Sequence, residues 1–165
     1  MQLERVFTGF LASYGNSNGI SSRLYEGVQG ALHYWQQQSV AMAVVTNKPL
    51  QFVAPLLSGL GVEQYFALLL GGECLPEKKP SPQPLLHACE QLGAAPTHSL
   101  MVGDSSNDVL AAQAASIPVV GVRGGYNRGN CIEDSQPDLV VNTFAELIPG
   151  DSIVAIGQYV DRPRV

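Results

Sequence analysis

The 165-residue sequence has few cysteines and no long apolar run. Cys74, Cys89 and Cys131 are an odd set without a Cys-x-x-Cys pair, so neither a disulfide framework nor a structural zinc site is expected, and a reducing compartment fits best. No apolar stretch is long enough to span a bilayer, and the N-terminus lacks the apolar core of a signal peptide. We therefore expect a cytoplasmic protein without a membrane partner.

Positive charge is also scarce, with 9 Lys and Arg against 14 Asp and Glu and a net charge of −5. This balance excludes the basic surface that binds nucleic acid or anionic membrane. The apolar fraction of 45% with 14% charged residues is typical of a folded globule rather than a disordered chain. An acidic protein that binds an anionic substrate has to use local positive charge, so single lysines become candidate site residues.

Strand-like and helix-like segments alternate along the chain. The apolar run Val40–Val45 is rich in β-branched residues and predicts a strand covered on both faces, as in a parallel sheet. Other strands are predicted at 66–70, 99–103, 119–122 and 139–141, and helices at 3–14, 27–38, 49–60, 85–92 and 105–115, with a helical turn at 144–148. Residues 14–22 are predicted to be a linker and 71–84 a loop. The alternation predicts a doubly wound α/β fold.

Two aspartates flank one predicted strand-to-helix junction. Ligands of such sheets lie beyond the carboxyl ends of the strands, and Asp104 follows a strand there, with Asp108 one helical turn later. Paired carboxylates on rigid elements suit Mg²⁺. The alternative is that these acidic residues cap the helix N-terminus.

Polar side chains also follow the two preceding strands. Thr46 and Asn47 are predicted either to bind phosphate oxygens or to cap the next helix. Lys79 directly precedes Pro80, which makes it a candidate for a fixed cation that neutralises a phosphoryl group, although most loop lysines are simply solvated.

The order of these residues, each at a predicted strand end, resembles the motif order of the haloacid dehalogenase superfamily. The amino-acid sequence of each motif resembles that of the phosphoglycolate phosphatases within the superfamily. The matching stretches are Thr-Asn-Lys-Pro at 46–49, Gly-Gly-Glu-Cys-Leu-Pro-Glu-Lys-Lys-Pro at 71–80, Val-Gly-Asp-Ser-Ser-Asn-Asp at 102–108 and Gly-Tyr-Asn-Arg-Gly at 125–129. The resemblance implies a Rossmann-like three-layer α/β/α core and a Mg²⁺-dependent phosphatase acting on a small phosphorylated metabolite. It also implies that Thr46 and Asn47 bind the phosphoryl oxygens, Lys79 is the motif lysine, Asp104 binds Mg²⁺ and Asp108 supports the metal shell.

The Asp-x-Asp-Gly-Thr motif that carries the nucleophile in this superfamily does not occur in the sequence. The resemblance therefore implies that residues 1–21 are a remnant of the helical cap and linker, 22–150 an incomplete core and 151–165 a tail. It places the missing strand between the strands that end at Thr46 and Asp104. Either those strands close on each other, or another chain fills the gap, or the chain is a fragment of a longer gene product, which we expect. We also expect the chain alone to be inactive and to self-associate through open sheet edges.

Other functions share these motifs. The chain is alternatively part of another phosphatase of the superfamily or a sugar-phosphate mutase, or a non-catalytic pseudophosphatase that binds a partner or phosphorylated ligand. No Gly-x-Gly-x-x-Gly follows a strand, so a dinucleotide site is not favoured. Arg128, in a glycine-rich loop, is a candidate for contacting a substrate carboxylate, or else it belongs to a mobile surface loop.

Overall fold

The computed structural model describes residues 22–125, 127 and 129–148. The predicted helix at 3–14, most of the linker that follows it and the tail at 151–165 lie outside these residues. The helices are α1 (Val28–Gln37), α2 (Val53–Gly59), α3 (Gln83–Gln91) and α4 (Ser106–Ala114). The strands are β1 (Ala43–Val45), β2 (Leu68–Leu70), β3 (Met101–Gly103), β4 (Val119–Val122) and β5 (Leu139–Val141). Short 3-10 turns occupy Leu50–Phe52, Glu63–Tyr65, Pro96–His98, Ile132–Ser135 and Phe144–Leu147.

The strands form two parallel sheets rather than one. β1 pairs with β2, so that Val45 lies opposite Leu70. β3 pairs with β4 and β4 with β5, again in parallel. Within the described residues β1 and β3 are not paired with each other. The two strands that flank the predicted gap therefore do not close on each other.

Alternating side chains cover the three-stranded sheet on both faces. Val119 belongs to a core that α3 and α4 cover, whereas Val120 belongs to a second core on the other face. Because successive strand residues point to opposite faces, this alternation means that both faces are covered. All four residues of β4 are buried. The predicted three-layer α/β/α arrangement is confirmed.

Trp35 of α1 connects the two sheets on the second face. It packs against the cluster of Val120, Val122, Val141 and Leu147 on the three-stranded sheet, and also against the cluster of Leu32, Met42 and Val62 beside β1. Since one side chain contributes to both clusters, α1 holds the two sheets in a common layer.

Replacing Trp35 with alanine is expected to lower the free energy of unfolding by about 2–3 kcal/mol, less than for a fully buried tryptophan because Trp35 is only partly buried. Urea titration followed by far-UV circular dichroism measures this, since the only tryptophan of the sequence is lost. Val40→Ala is the matched control, because Val40 is 50% exposed and should change stability by less than about 0.5 kcal/mol. Equal effects of the two changes would contradict the connecting role.

Three expectations about the elements are corrected by the structure. β1 begins at Ala43 rather than Val40, because Val40 is still bonded to the end of α1, where its N–H donates to Trp35 O. Its residues are half-buried rather than covered, and among residues 22–148 that the structure describes β1 pairs with β2 alone. α3 begins at Gln83 and so includes Pro84, which the sequence pattern places in the loop. Proline fits the first helical turn, where its missing N–H has no partner to lose.

The cysteines and the apolar segments are considered next. Cys74, Cys89 and Cys131 are free thiols. None of the helices between residues 22 and 148 that the structure describes is long and apolar enough to cross a membrane.

Candidate functional site

Lys79 is the buried cation of the site. It lies in the loop between β2 and α3 and is 7% exposed, whereas its neighbour Lys78 is exposed. Its Nζ donates to the carbonyl oxygen of Val45 at 2.5 Å and to Asp108 Oδ1 at 2.5 Å. A buried ammonium is tolerated only when it is paired and hydrogen-bonded. Lys79 meets both conditions by joining the end of β1 to the start of α4.

Asp108 receives hydrogen bonds on both carboxylate oxygens. Its Oδ1 accepts a hydrogen bond from Lys79 Nζ. Its Oδ2 accepts from the backbone N–H of Asp104 at 3.2 Å, the N–H of Ser105 at 3.1 Å and the Ser105 hydroxyl at 2.9 Å. Ser105 and Asp108 form a capping box at the start of α4. The capping role and the charged role, which are alternatives in the sequence, are therefore combined in one carboxylate.

Asp104 leaves the carboxyl end of β3, as predicted, and has a partner that the sequence does not indicate. The Tyr25 hydroxyl, 79 positions away, donates to Asp104 Oδ2 at 3.1 Å. Partial burial, followed by the negative charge of Asp104, raises the pKa of Tyr25 above its usual value, so the phenol stays protonated and remains a donor at neutral pH. The phenol thus fixes the orientation of the Asp104 carboxylate.

Two glycines allow the backbone to approach these aspartates. A Cβ built on Gly103 would lie 2.4 Å from Asp108 Cβ, and a Cβ on Gly125 would lie 2.1 Å from Asp104 Cβ. Both distances are far below van der Waals contact, so only glycine fits at either position. The Gly-Asp sequence at 103–104 and the glycine-rich loop at 124–129 are therefore parts of the same close-packed site.

The glycine-rich loop is anchored by Asn127, which sequence reasoning does not single out. Asn127 is 8% exposed, its Oδ1 accepts the N–H of Ser106 at 2.9 Å, and its Nδ2 donates to Asn130 O at 3.1 Å. The only indication in the sequence is the asparagine within the Gly-Tyr-Asn-Arg-Gly stretch. Arg128, the predicted carboxylate contact, lies outside the described residues.

Thr46 and Asn47 do not cap a helix. The helical segment after them begins only at Leu50, and the N–H of Thr46 continues the sheet by donating to Leu70 O at 2.9 Å. Thr46 Oγ1 accepts the N–H of Lys48 at 3.1 Å, and Asn47 Nδ2 donates to the backbone oxygen of Lys79 at 2.8 Å. Both residues instead shape the turn at the end of β1 and fix the lysine loop beside it.

The loop after β2 is docked onto that turn by further contacts. Gly72 N–H donates to Lys48 O at 3.0 Å, and the N–H of Leu50 donates to Glu73 Oε1 at 2.8 Å. Together with the Asn47 contact, these bonds set the start and the end of the loop. The Gly-Gly-Glu and Lys-Pro parts of the motif at 71–80 therefore position Lys79.

The structure brings the predicted site residues into one connected network. Asn47 contacts Lys79, Lys79 contacts Asp108, and Asp108 contacts the backbone of Asp104, while Thr46 lies next to the carbonyl that Lys79 binds. They lie at the carboxyl ends of β1 and β3, in the loop that follows β2, and at the start of α4. This is the edge at which open α/β sheets bind ligands.

The donor set fits part of a Mg²⁺ site. The described residues contain no group of three His, Cys, Asp or Glu side chains placed to hold a metal ion. Mg²⁺ is usually bound through one or two carboxylates and keeps several waters. Asp104 fits as one such ligand, whereas the oxygens of Asp108 are already held by Lys79, Ser105 and the Asp104 backbone. Further ligands have to come from outside the described residues.

Comparison with known proteins agrees with this geometry. Residues 3–122 match the family of haloacid dehalogenase-like hydrolases. The chain is 45% identical over 144 residues to phosphoglycolate phosphatase of Nitrosococcus oceani, covering 87% of the chain and 64% of the relative. It is 48% identical over 140 residues to phosphoglycolate phosphatase of Pectobacterium atrosepticum, covering 85% and 60%. The crystal structure of a predicted phosphoglycolate phosphatase from Haemophilus somnus 129pt has a TM-score of 0.79 at 42% identity, covering 81% and 60%.

The chain spans about three fifths of the length of these relatives. The family profile nevertheless matches most of the chain, and the superposed structure confirms the fold predicted from the alternation of strands and helices. The resemblance inferred from the motifs at 46–49, 71–80 and 102–108 is confirmed. The chain belongs to the haloacid dehalogenase-like hydrolase family.

Proposed function

We propose that this chain forms the larger part of a Mg²⁺-dependent phosphatase that hydrolyses a small phosphomonoester, with 2-phosphoglycolate as the favoured substrate. The observation that carries the proposal is the buried contact of Lys79 with Asp108 beside Asp104. Enzymes catalyse phosphoryl transfer mainly by positioning the reacting groups and stabilising their negative charge. A fixed cation and a metal-ligating carboxylate at the same edge of a sheet can do both.

Each candidate residue has a role that matches its contacts. The Thr46 hydroxyl oxygen accepts from Lys48, so its hydrogen is left to donate to a phosphoryl oxygen. Asn47 lies in the same turn and assists at that position. Lys79 supplies fixed positive charge, Asp104 is the metal ligand and Asp108 orients both. When bound, Mg²⁺ would neutralise charge on the phosphoryl oxygens.

The nucleophile has to come from outside this chain, since no Asp-x-Asp occurs in it. In the proposed reaction a carboxylate oxygen attacks phosphorus, the bond from phosphorus to the ester oxygen breaks, and that oxygen takes a proton from the second aspartate of the absent motif and leaves as the alcohol. Water then hydrolyses the aspartyl-phosphate to phosphate and the free carboxylate. Asp108 cannot take this role because both of its oxygens are engaged. The chain alone is therefore expected to be inactive.

The substrate preference rests on the relatives. Both curated relatives compared above carry the name phosphoglycolate phosphatase at 45% and 48% identity. The described residues do not include Arg128, so the recognition of a substrate carboxylate is left to experiment.

A chimaera tests the proposal. The segment of the Nitrosococcus oceani relative that precedes its match is fused ahead of this chain, and phosphate release is measured with and without Mg²⁺. We expect Mg²⁺-dependent release from 2-phosphoglycolate by the chimaera and no release by the chain alone. The matched control carries Asn in place of both aspartates of the Asp-x-Asp motif that the family resemblance places in the grafted segment, and it should be inactive.

Three results would contradict specific parts of the proposal. Robust turnover by the 165-residue chain would refute the external nucleophile. Faster turnover of a hexose phosphate than of 2-phosphoglycolate would move the assignment to another phosphatase or a sugar-phosphate mutase. A folded chimaera that binds phosphate without turnover would favour the non-catalytic alternative.

A further inference from the structure

The segment just ahead of α1 is docked on the 3-10 turn Phe144–Leu147. The N–H of Phe144 donates to the carbonyl oxygen of Glu26 at 3.0 Å. Gly27 has a φ of +82°, and a Cβ built on it would overlap the backbone of Ala145. Only glycine combines this left-handed conformation with such a close approach of two backbones. The segment is therefore held at one position against the turn.

The Phe144–Leu147 turn is itself fixed to the three-stranded sheet. Glu146 Oε1 accepts the N–H of Asn142 at 2.8 Å and that of Thr143 at 3.1 Å, and these two residues directly follow β5. Leu147 is 1% exposed and belongs to the core on the second face of the sheet. Because β3 is joined to β5 through β4, the turn and the carboxyl end of β3 are parts of one packed unit.

Tyr25 reaches from this docked segment to the carboxylate of Asp104. Its hydroxyl donates to Asp104 Oδ2 at 3.1 Å. Gly125 of the glycine-rich loop lies beside the same oxygen, since a Cβ built on it would overlap Oδ2. Rotation of the carboxylate would therefore break the hydrogen bond to the phenol. The segment ahead of α1 and the loop after β4 together set the direction in which Asp104 points.

Burial does not explain why a tyrosine occupies position 25. Tyr25 is 46% exposed and is one of four large apolar side chains that are exposed among residues 22–148 that the structure describes. A ring that stays half in water contributes little by leaving it. The contact that distinguishes Tyr25 from other exposed aromatic residues is its hydrogen bond to Asp104. Phenylalanine at this position would keep the ring and lose only that bond.

The orientation of Asp104 matters because Mg²⁺ demands near-ideal octahedral geometry. A group that hydrogen-bonds a ligating carboxylate fixes its direction, and losing such a partner commonly lowers metal affinity or activity by about 10–100-fold. We propose that Tyr25 is a positioning residue that holds Asp104 in the orientation in which it binds Mg²⁺. This inference rests on the proposed function, which assigns the metal to Asp104.

Tyr25→Phe in the chimaera described above tests the proposal. Calorimetric titration with Mg²⁺ in the absence of substrate should show an affinity at least about tenfold lower than that of the unchanged chimaera. Phosphate release from 2-phosphoglycolate should need a correspondingly higher Mg²⁺ concentration for half of its maximal rate. Saturating Mg²⁺ should restore most of that rate, because the loss lies in metal binding. Unfolding in urea should be unchanged, so a purely structural role would not produce this result.

Tyr65→Phe is the matched control. It removes the same hydroxyl from a residue that packs against the cluster of Leu32, Met42 and Val62 beside the start of β1, whereas Asp104 follows the end of β3. Mg²⁺ affinity and the Mg²⁺ dependence of phosphate release should both stay at the values of the unchanged chimaera. An equal loss of affinity in the two variants would overturn the specific role of Tyr25.

The failure of this inference and the failure of the proposed function give different results. Turnover whose Mg²⁺ dependence is the same with and without the Tyr25 hydroxyl would overturn the positioning role and keep the function. Mg²⁺ binding that Tyr25→Phe weakens, in a chimaera that releases no phosphate, would refute the function and keep the positioning role. A folded chimaera that binds no Mg²⁺ would overturn the inference, since Asp104 would then hold no metal.

Discussion

Replacing Lys79 with methionine is expected to lower the free energy of unfolding of the chain by about 3 kcal/mol. The change removes the only charged donor to Asp108 Oδ1 among the described contacts. Because Asp108 is only 6% exposed, its carboxylate stays buried without that cation. It also leaves the Val45 carbonyl without the Nζ donor at the edge of β1. A buried charge that loses its partner costs more than the intact pair contributes, because the desolvation penalty remains.

The measurement is urea unfolding followed by Trp35 fluorescence and, in parallel, by far-UV circular dichroism. Lys78→Met is the matched control, since Lys78 is the adjacent residue, is exposed and should change stability by less than about 0.5 kcal/mol. Equal small effects at both positions would show that the contact of Lys79 with Asp108 contributes nothing to folding.

A double-mutant cycle separates the pair from its surroundings. Lys79→Met combined with Asp108→Asn should cost less than the sum of the single changes, with a coupling of about 1–3 kcal/mol, because the second change removes the buried negative charge that needs Lys79. Additive costs would mean that the two residues act independently.

Two of the five strands are predicted at their observed bounds. β4 and β5 are each a short run of Val, Leu or Gly between turn residues, so the ends of the run coincide with the ends of the strand. β1, β2 and β3 are shorter than the sequence predicts. An apolar run indicates that a segment will be buried, but it does not show where the hydrogen-bonded ladder starts, and the ladder between β1 and β2 begins only where Ala43 lies opposite Leu68.

The site is predictable where a residue's role depends on its neighbours in sequence. The position of Lys79 before Pro80 separates it from Lys78, and the structure buries the one and exposes the other. The acidic residues at the start of α4 are recognisable as a capping pattern, and this explains half of the contacts of Asp108.

Contacts made across the fold cannot be predicted in this way. Tyr25 reaches Asp104 from 79 positions away, and nothing in its local sequence distinguishes it from a buried aromatic residue. Asn127 lies in a recognisable loop, but its neighbour Arg128 is charged and is therefore the more obvious candidate for a functional residue. The role of Asn127 is to accept the N–H of Ser106, and an uncharged amide gives no sign of that role in the sequence. Hydrogen bonds of this kind depend on tertiary distances that no spacing rule supplies.

Replacing Asp104 with asparagine in the chimaera is expected to reduce phosphate release from 2-phosphoglycolate by at least about 10²-fold. The proposed role of Asp104 is to hold Mg²⁺, and an amide oxygen is a weaker ligand than a carboxylate. Asparagine keeps the size of the side chain and an acceptor for the Tyr25 hydroxyl, so the fold should be retained. Phosphate release is measured over a range of Mg²⁺ concentrations, and unfolding in urea shows whether the fold has changed.

Asp134→Asn is the matched control, because Asp134 is an exposed carboxylate in the 3-10 turn Ile132–Ser135 and lies outside the network around Lys79. It should leave both the rate and the Mg²⁺ dependence unchanged. If Asp104→Asn lowers the maximal rate and also raises the Mg²⁺ concentration needed for half of it, the carboxylate acts through the metal. If the rate falls only in proportion to a loss of folded protein, Asp104 is structural and the metal site has to be sought in another set of oxygens.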